Sequence, residues 1–492
     1  MPIGRPEYVR AVARGRVAGH AEVHERVRVL SCVQSAFVIL RVSLAVRMVY
    51  LARMCGMALS EGDESGPAPL EQHDCMMRGT LAALLERPQD TELRREARQG
   101  RYMAPVFARA ALPCRMGGLG LHRMMLIWPC CFVAGVMSCM GYMERHAHLL
   151  RLPPCDAEAD FPLVRALVCA ARDVVSRTSS AVDLSSLLPG SPRAPRQSEL
   201  SGGVMETERD ALLEATVDPQ HRAVLLSAGG QYAGHAWQVV PVRPQWCARS
   251  RVFQLALMLR LGVPMPELVN EAGGGTPVKC GSCGGEHDRW GRHPSQCKRG
   301  NRLHLWTDRH DGMQRALLDA LRYVGVVARA VGLRNYFGSA VPPGRKGLHP
   351  DVVLVGYRGL GRHHFVDVSI TEPATVARTQ GAGRAAVVAG WAANDRAAKK
   401  HNKYAPSCAR IDCTFGDAVI ERYGACSDGL VGLMRMVAGG GDSAPSDEGY
   451  SPTATSRVSG VAQMVVFGAV MADALMLEAV LEVDYWGRER VV

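Results

Sequence analysis

The stretch of sequence that decides the fold begins at residue 280, where residues 280–297 read CGSCGGEHDRWGRHPSQC. Two short apolar segments follow it, DVVLV at 351–355 and FVDVSI at 365–370. Short apolar runs of this kind predict β-strands, and each run carries one aspartate. A compact cysteine–histidine group in front of two strands therefore predicts a small metal-stabilised module followed by an α/β domain.

The cysteine–histidine group has the spacing of a zinc knuckle. Two residues separate Cys280 from Cys283, His293 follows after nine more, and Cys297 follows after a further three. Three thiolates and one imidazole can fill all four positions of a tetrahedral zinc ion, so the site would be structural. His287 is the competing histidine ligand and ranks second. The alternative, a set of unrelated buried cysteines, is disfavoured because the surrounding residues are polar.

Positive charge surrounds this group and is also a property of the whole chain. The 492 residues carry a net charge of +11, and the isoelectric point is near 9.0. A basic balance favours a polyanionic partner, most often a nucleic acid. A solvated charged face is the alternative interpretation. The candidate phosphate contacts are Arg289, Arg292, Lys298, Arg299, Arg302 and Arg309.

The two strand aspartates form the second candidate site. Asp351 opens the first strand, and Asp367 lies inside the second, which is its expected hairpin partner. Two carboxylates on adjacent strands repel each other unless a cation lies between them. Mg²⁺ is the natural cation, because it prefers oxygen ligands and leaves room for a phosphate oxygen. The alternative is a structural hairpin without chemistry.

The remainder of the chain divides by composition. A linker rich in Ser, Pro and Gly and a second, polar linker separate helical patterns from the α/β part. Because the sixteen cysteines are scattered through apolar segments and no signal peptide is visible, we expect an intracellular protein with reduced thiols. The predicted segments are a helical region 1–177, a linker 178–205, a helical connector 206–275, the knuckle 276–300, the α/β domain 301–436, a linker 437–460 and a final helix 461–492.

Several of these features together resemble the carboxy-terminal part of non-LTR retrotransposon reverse transcriptase/endonuclease proteins. Within the helical region, helical segments are followed by LPCRMGGLGL at 112–121, which on its residues alone is a glycine turn. A cysteine–cysteine–histidine–cysteine knuckle, a Pro-Asp, a second acid and a lysine on the next helix follow in that family's order. The resemblance implies an α+β multidomain chain with thumb-like helices, the knuckle, and a PD-(D/E)XK-like nuclease domain with a mixed sheet.

The resemblance also implies roles for single residues. Asp351 and Asp367 would bind catalytic Mg²⁺, and Ser369 stands where the PD-(D/E)XK lysine is expected. In this family the lysine lies on the following helix, here 385–404, so its role passes to Lys400. Lys403 is the second choice for that role, and Tyr404 would be an accessory residue.

The activity implied is a Mg²⁺-dependent endonuclease that nicks target DNA by phosphodiester hydrolysis. DNA would be the partner, with retroelement RNA as a second candidate, no membrane association is expected, and the nucleus would be the location. The chain contains no Asp-Asp pair, so we expect no reverse transcriptase activity from it. The alternatives are a catalytically inactive, zinc-containing nucleic-acid-binding remnant and a zinc-stabilised protein-interaction module.

Overall fold

The chain folds into two compact units, one built from helices and one containing a sheet. The helical unit comprises Met1–Pro113 and Leu119–Ala215, and the sheet unit comprises Cys114–Gly118 and Thr216–Val492. The protein is mostly helical, with a small four-stranded mixed sheet. The computed structural model describes residues 5–64, 66–85, 103–146, 162–178, 182–188, 191, 193–270, 276–331, 337, 348–356, 362–381, 383–439 and 452–482.

The helical unit contains eight α-helices among the residues that the structure describes. A π-helical turn at Leu40–Leu44 lies between the second and the third of them. Gly135 allows the third and sixth helices to approach closely, since a Cβ atom there would lie 2.4 Å from the carbonyl oxygen of Arg53. The helices are α1 Pro6–Arg28, α2 Val33–Ile39, α3 Val49–Ser60, α4 Pro69–Leu85, α5 Met103–Ala111, α6 Met124–His146, α7 Pro162–Ser176 and α8 Gln197–Ala215.

The sheet unit is organised around strands in the order β3-β4-β5-β6. Strands β3, β4 and β5 pair antiparallel, whereas β6 runs parallel to β5. Its strands are β1 Val269–Asn270, β2 Thr276–Pro277, β3 Ala328–Ala330, β4 Val352–Val355, β5 His363–Thr371 and β6 Thr414–Glu421. Its helices are α9 Pro219–Ala228, α10 Ser250–Leu261, α11 Arg292–Gln296, α12 Leu303–Tyr323, α13 Val376–Thr379, α14 Trp391–Arg410, α15 Asp428–Val437 and α16 Pro452–Leu481.

Two amphipathic helices cover the sheet and place side chains beside its strands. Helix α12 buries Met313, Leu317 and Leu321 at helical spacing and packs against α16, β3 and β5. Helix α14 packs against β5 and β6, and its residue Tyr404 joins a core cluster with Phe365. The elements that flank the sheet thus approach it at the strands that carry the predicted acids.

The carboxy-terminal helix α16 is apolar and largely buried. Its segment Arg457–Leu481 is long and apolar enough to cross a membrane, with a mean hydropathy of 2.0, but 83% of its most apolar window is buried within the protein. Asp473 on this helix is buried and forms ion pairs with Arg309 and Arg422. These ion pairs connect α16 to α12 and to the end of β6, as expected for a core helix.

Both predicted linkers contain helical residues. Helix α8 begins at Gln197, inside the predicted linker 178–205, and α16 begins at Pro452, inside the predicted linker 437–460. Polar and small residues at helix starts resemble linker composition, which explains the difference. Residues 179–181, 440–451 and 483–492 of these predicted segments lie outside the described part of the chain.

Within the glycine motif, the segment Cys114–Gly118 packs against a buried arginine. The Arg260 guanidinium donates to the carbonyl oxygens of Cys114 at 2.8 Å and Gly118 at 3.0 Å. Burial lowers the pKa of Arg260 to about 10. Gly117 adopts a φ of +93°, and a Cβ atom there would lie 3.2 Å from the carbonyl oxygen of Leu225. The motif is therefore a packed turn that satisfies a buried charge with backbone oxygens.

Candidate functional site

The four predicted metal ligands converge in the structure. A tight turn returns the chain from Cys280 to the Gly285 carbonyl, with Gly284 at a φ of +74°. The ligand atoms of Cys280, Cys283, His293 and Cys297 all lie within 4.8 Å of one another. Within the described residues, they form the one cluster of three or more His, Cys, Asp or Glu side chains that could hold a metal ion.

The spacing of the ligand atoms fits zinc. The Sγ atoms of Cys280 and Cys297 are 3.8 Å apart, and Cys283 Sγ lies 3.3 Å from His293 Nε2. Tetrahedral zinc with Zn–S bonds of about 2.3 Å requires sulfur atoms about 3.8 Å apart. The donor set and its spacing therefore fit a structural zinc ion, as the sequence predicts.

The structure selects His293 over His287 as the fourth ligand. His287 is buried, its ring centre lies 5.1 Å from that of His293, and it is not part of the ligand group. Asp288 positions His293, because its Oδ2 atom accepts the His293 backbone N–H at 2.6 Å. The other oxygen, Oδ1, accepts the backbone N–H of Trp290 and Arg292 and so holds the start of α11.

The predicted phosphate contacts divide into exposed and buried residues. Arg289, Lys298 and Arg299 are exposed, whereas Arg292, Arg302 and Arg309 are at most 6% exposed. Arg309 donates to Asp473 at 2.9 Å and lies over the ring of Trp306. The prediction that all six bind phosphate is therefore wrong for these buried residues, because a buried guanidinium stabilises the interior instead. Three cations next to the zinc group remain available to an anionic partner.

The two predicted acids lie at neighbouring positions of the sheet. Asp351 directly precedes β4, and its backbone N–H donates to the Val366 carbonyl at 3.0 Å. Its Oδ2 atom accepts the backbone N–H of Val368 at 2.6 Å. Val368 is the next residue after Asp367, so the Asp351 carboxylate is held beside the backbone of the second acid. Asp367 itself is 7% exposed.

Lys400 contacts the second acid, Asp367, from helix α14. Its Nζ atom donates to Asp367 Oδ2 and, at 2.9 Å, to the Val368 carbonyl. Burial lowers the pKa of Lys400 to about 8, and the nearby Asp351 charge opposes this shift. The predicted trio of Asp351, Asp367 and Lys400 thus meets around one residue, Val368.

Lys403 and Tyr404 form hydrogen bonds that lead to the His349 carbonyl, whereas Lys400 contacts Asp367. The Lys403 ammonium donates to the Tyr404 hydroxyl at 3.0 Å, and that hydroxyl donates to the His349 carbonyl at 3.1 Å. Tyr404 is buried and stacks on Phe415, and burial raises its pKa to about 12. These two residues therefore hold the segment that leads into Asp351, whereas Lys400 contacts Asp367 directly.

Two residues that contact Asp351 were not predicted to do so. His310 Nε2 lies 3.1 Å from Asp351 Oδ2, and the Gln314 amide donates to the Asp351 carbonyl at 2.6 Å. The hydrogen bond to Asp351 raises the pKa of His310. Helical spacing of four places both side chains on one face of α12, but only the folded chain shows that this face meets residue 351.

A third unpredicted contact fixes the helix that carries Lys400. The Glu421 Oε1 atom accepts the backbone N–H groups of Ala392 at 2.8 Å and Ala393 at 3.2 Å, in the first turn of α14. A carboxylate at this position satisfies free N–H groups and interacts favourably with the helix dipole. Burial raises the pKa of Glu421 to about 7. Glu421 is therefore a positioning residue for α14.

Comparisons with known proteins assign no family to this arrangement. No protein-family model matches the chain, and no similar sequence was found among curated proteins. The candidate site therefore consists of two groups defined by geometry, the zinc group at 280–297 and the acid–lysine group of Asp351, Asp367 and Lys400.

Proposed function

We propose that this chain is a metal-dependent DNA endonuclease that nicks its target by phosphodiester hydrolysis. The observation that carries the proposal is the meeting of Asp351, Asp367 and Lys400 around Val368. Two carboxylates can hold a divalent ion that activates water, and an amine beside them can stabilise negative charge on a phosphate, which together suit phosphodiester hydrolysis. The resemblance to non-LTR retrotransposon proteins supports the same reaction, and because the sequence has no Asp-Asp pair we expect no reverse transcriptase activity from this chain.

The assignment to the PD-(D/E)XK class rests on where the sheet places these residues. Asp351 lies at the start of β4, and Asp367 lies in β5, between an antiparallel and a parallel neighbour. Ser369 occupies the position of the motif lysine in that class, and Lys400 supplies an amine to the same acid from α14. We therefore propose residues 301–436 as the nuclease domain, with the knuckle at 276–300 in front of it and the thumb-like region at 1–177.

Asp351 and Asp367 are the residues that would hold Mg²⁺. Their oxygen donors are of the type that this ion prefers, and a bound Mg²⁺ would neutralise phosphate charge and acidify a water molecule. The Val368 N–H and His310 orient the Asp351 carboxylate. Lys400 would stabilise the negative charge that develops on the scissile phosphate.

A plasmid-nicking assay with Mg²⁺ tests the proposal. Asp351→Ala and Asp367→Ala are each expected to reduce the nicking rate by about 100-fold or more, because each removes a ligand of the Mg²⁺ that would neutralise charge on the reacting phosphate. Asp319→Asn is the matched control, since Asp319 is an exposed acid of α12 paired with Arg322. Nicking that survives both alanine substitutions at the control rate removes the proposal.

A catalytically inactive nucleic-acid-binding protein is the second candidate function. Three exposed cations beside the zinc group favour it. The direct contact between Lys400 and Asp367 also favours it, because the two buried side chains satisfy each other's charge. DNA, and retroelement RNA as a second ligand, would then be bound through the phosphate backbone in the nucleus. Salt-dependent DNA binding by fluorescence anisotropy, together with no Mg²⁺-dependent nicking by the wild-type chain, would select this function.

A further inference from the structure

A second group of polar side chains lies beside the acid–lysine group. The buried Asp417 carboxylate contacts His401 Nε2 through Oδ1 at 3.1 Å and accepts the Ser427 hydroxyl through Oδ2 at 2.5 Å. The His401 side chain is 45% exposed, whereas that of Asp417 is 2% exposed. A buried carboxylate thus holds an imidazole at the surface.

The register of the sheet places this group next to the candidate centre. Asp417 in β6 is the direct partner of Asp367 in the parallel strand β5, so both side chains leave the sheet on the same face. Neighbouring strands lie about 4.8 Å apart. His401 directly follows Lys400 on α14, so the imidazole reaches the sheet one strand away from the contact between Lys400 and Asp367.

The surroundings of Asp417 fix the orientation of the imidazole. Ser427 caps α15, because its Oγ atom accepts the Leu430 backbone N–H at 3.2 Å. A Cβ atom at Gly429 would lie 2.1 Å from Asp417 Oδ1, so only glycine fits against the carboxylate. The His401 ring also lies edge-on to Phe415, with 5.0 Å between ring centres. The carboxylate and the ring are therefore packed in one arrangement.

We propose that His401 is a DNA-positioning residue that binds a backbone phosphate adjacent to the scissile one. Asp417 occupies Nε2, so Nδ1 is the nitrogen that can meet a ligand, and a protonated imidazole donates through both nitrogens. The displacement of one strand separates this phosphate from the one at Asp367. The inference rests on the proposed endonuclease function for its geometry, but DNA binding tests it independently.

The test compares His401→Gln with Arg410→Gln in anisotropy titrations of duplex DNA without divalent ions, at several salt concentrations. Arg410 is an exposed cation in the last turn of the same helix. We expect His401→Gln to raise Kd by about 3- to 10-fold and to reduce the slope of log K against log[salt] by about 1, as for one lost phosphate contact. Arg410→Gln should leave the slope unchanged. In the nicking assay, His401→Gln should raise KM with little change in kcat.

Further variants and readouts separate the outcomes. Asp417→Asn should weaken DNA binding in the same direction, and if that buried change prevents folding, the exposed His401→Gln still decides. An unchanged Kd and slope for His401→Gln overturns the inference, as does a loss of kcat at unchanged Kd, which would make His401 a proton donor or acceptor. A wild-type chain that does not nick DNA, but whose binding depends on His401, defeats the endonuclease proposal and leaves the phosphate contact standing.

Discussion

The zinc group and the acid–lysine group are assembled in opposite ways, although both belong to the sheet unit. All four ligands of the first lie between residues 280 and 297, and a single turn with one short helix brings them together. The second joins the start of one strand, the middle of another and a helix, at residues 351, 367 and 400. A local group is defined by spacing along the chain, whereas a dispersed group exists only when the sheet and its helices are in place.

The difference extends to what keeps each group in position. Cys283 is exposed, and a bound metal ion would hold it in place together with the other three ligands. In the acid–lysine group, Asp367 and Lys400 are buried and Asp351 is partly buried, and the group depends on hydrogen bonds from its neighbours, such as Val368, His310 and Gln314. We therefore expect metal removal to affect the first group most and substitutions of positioning residues to affect the second.

The largest expected effect is the loss of metal from the zinc group. Cys283→Ser and His293→Ala should lose the bound zinc, which in structural sites contributes on the order of 10 kcal/mol to the local fold. His287→Ala is the matched control and should retain one zinc per chain, because His287 is outside the ligand group. Metal analysis after dialysis measures both. Retention in His293→Ala combined with loss in His287→Ala would reverse the ligand assignment.

The next effect separates the two lysines of α14. Lys400→Ala should lower the nicking rate by about 100-fold or more, because this amine lies beside the Mg²⁺-binding acid Asp367 and would stabilise charge on the scissile phosphate. Lys403→Ala should cost less than about 10-fold, since its amine contacts the Tyr404 hydroxyl instead. Lys399→Ala, an exposed residue paired with Asp395, is the control. Equal losses for Lys400 and Lys403 would contradict the assignment.

Glu421 provides a pH-dependent test of the contact that holds α14. Its pKa of about 7 in the folded chain exceeds its ordinary value of 4.5, because the side chain is buried. Between pH 4.5 and about 7, Glu421 is ionised in the unfolded chain but protonated in the folded chain. The free energy of unfolding should therefore fall by about 3 kcal/mol as the pH rises and level off above pH 7. Glu421→Gln should remove this component while keeping an acceptor for α14. Urea unfolding at pH 5 to 8 compares the wild-type chain with the Glu421→Gln variant. If the free energy of unfolding changed with pH equally in both, the prediction would be refuted.

The smallest effects concern the cations near the zinc group. Lys298→Gln and Arg299→Gln should each reduce the salt slope of DNA binding by about 1, because both side chains are exposed. Arg309→Gln should leave the slope unchanged and lower the free energy of unfolding, since it deprives the buried Asp473 of a partner. If Arg309→Gln reduced the salt slope as much as Lys298→Gln does, burial would not separate the phosphate contacts from the structural arginines.

The sequence predicted the order of elements better than the boundaries between them. Apolar runs at 351–355 and 365–370 predicted the paired strands β4 and β5. The starts of α8 at Gln197 and α16 at Pro452 were missed, because polar and small residues at helix starts have the composition of a linker. Composition reports what a segment contains, but tertiary packing decides whether it forms a helix.

The sequence by itself predicted the zinc group and ranked His293 above His287, because four ligands separated by short fixed spacings have few ways to converge; the structure settled the choice of histidine. It also determined that two aspartates would lie on paired strands. Only the tertiary structure decided that Lys400 reaches Asp367, that His310 and Gln314 hold Asp351, and that Arg309 is buried against Asp473. Such contacts join residues far apart in the chain, and their geometry is set by how helices pack on a sheet, which spacing along the sequence does not encode.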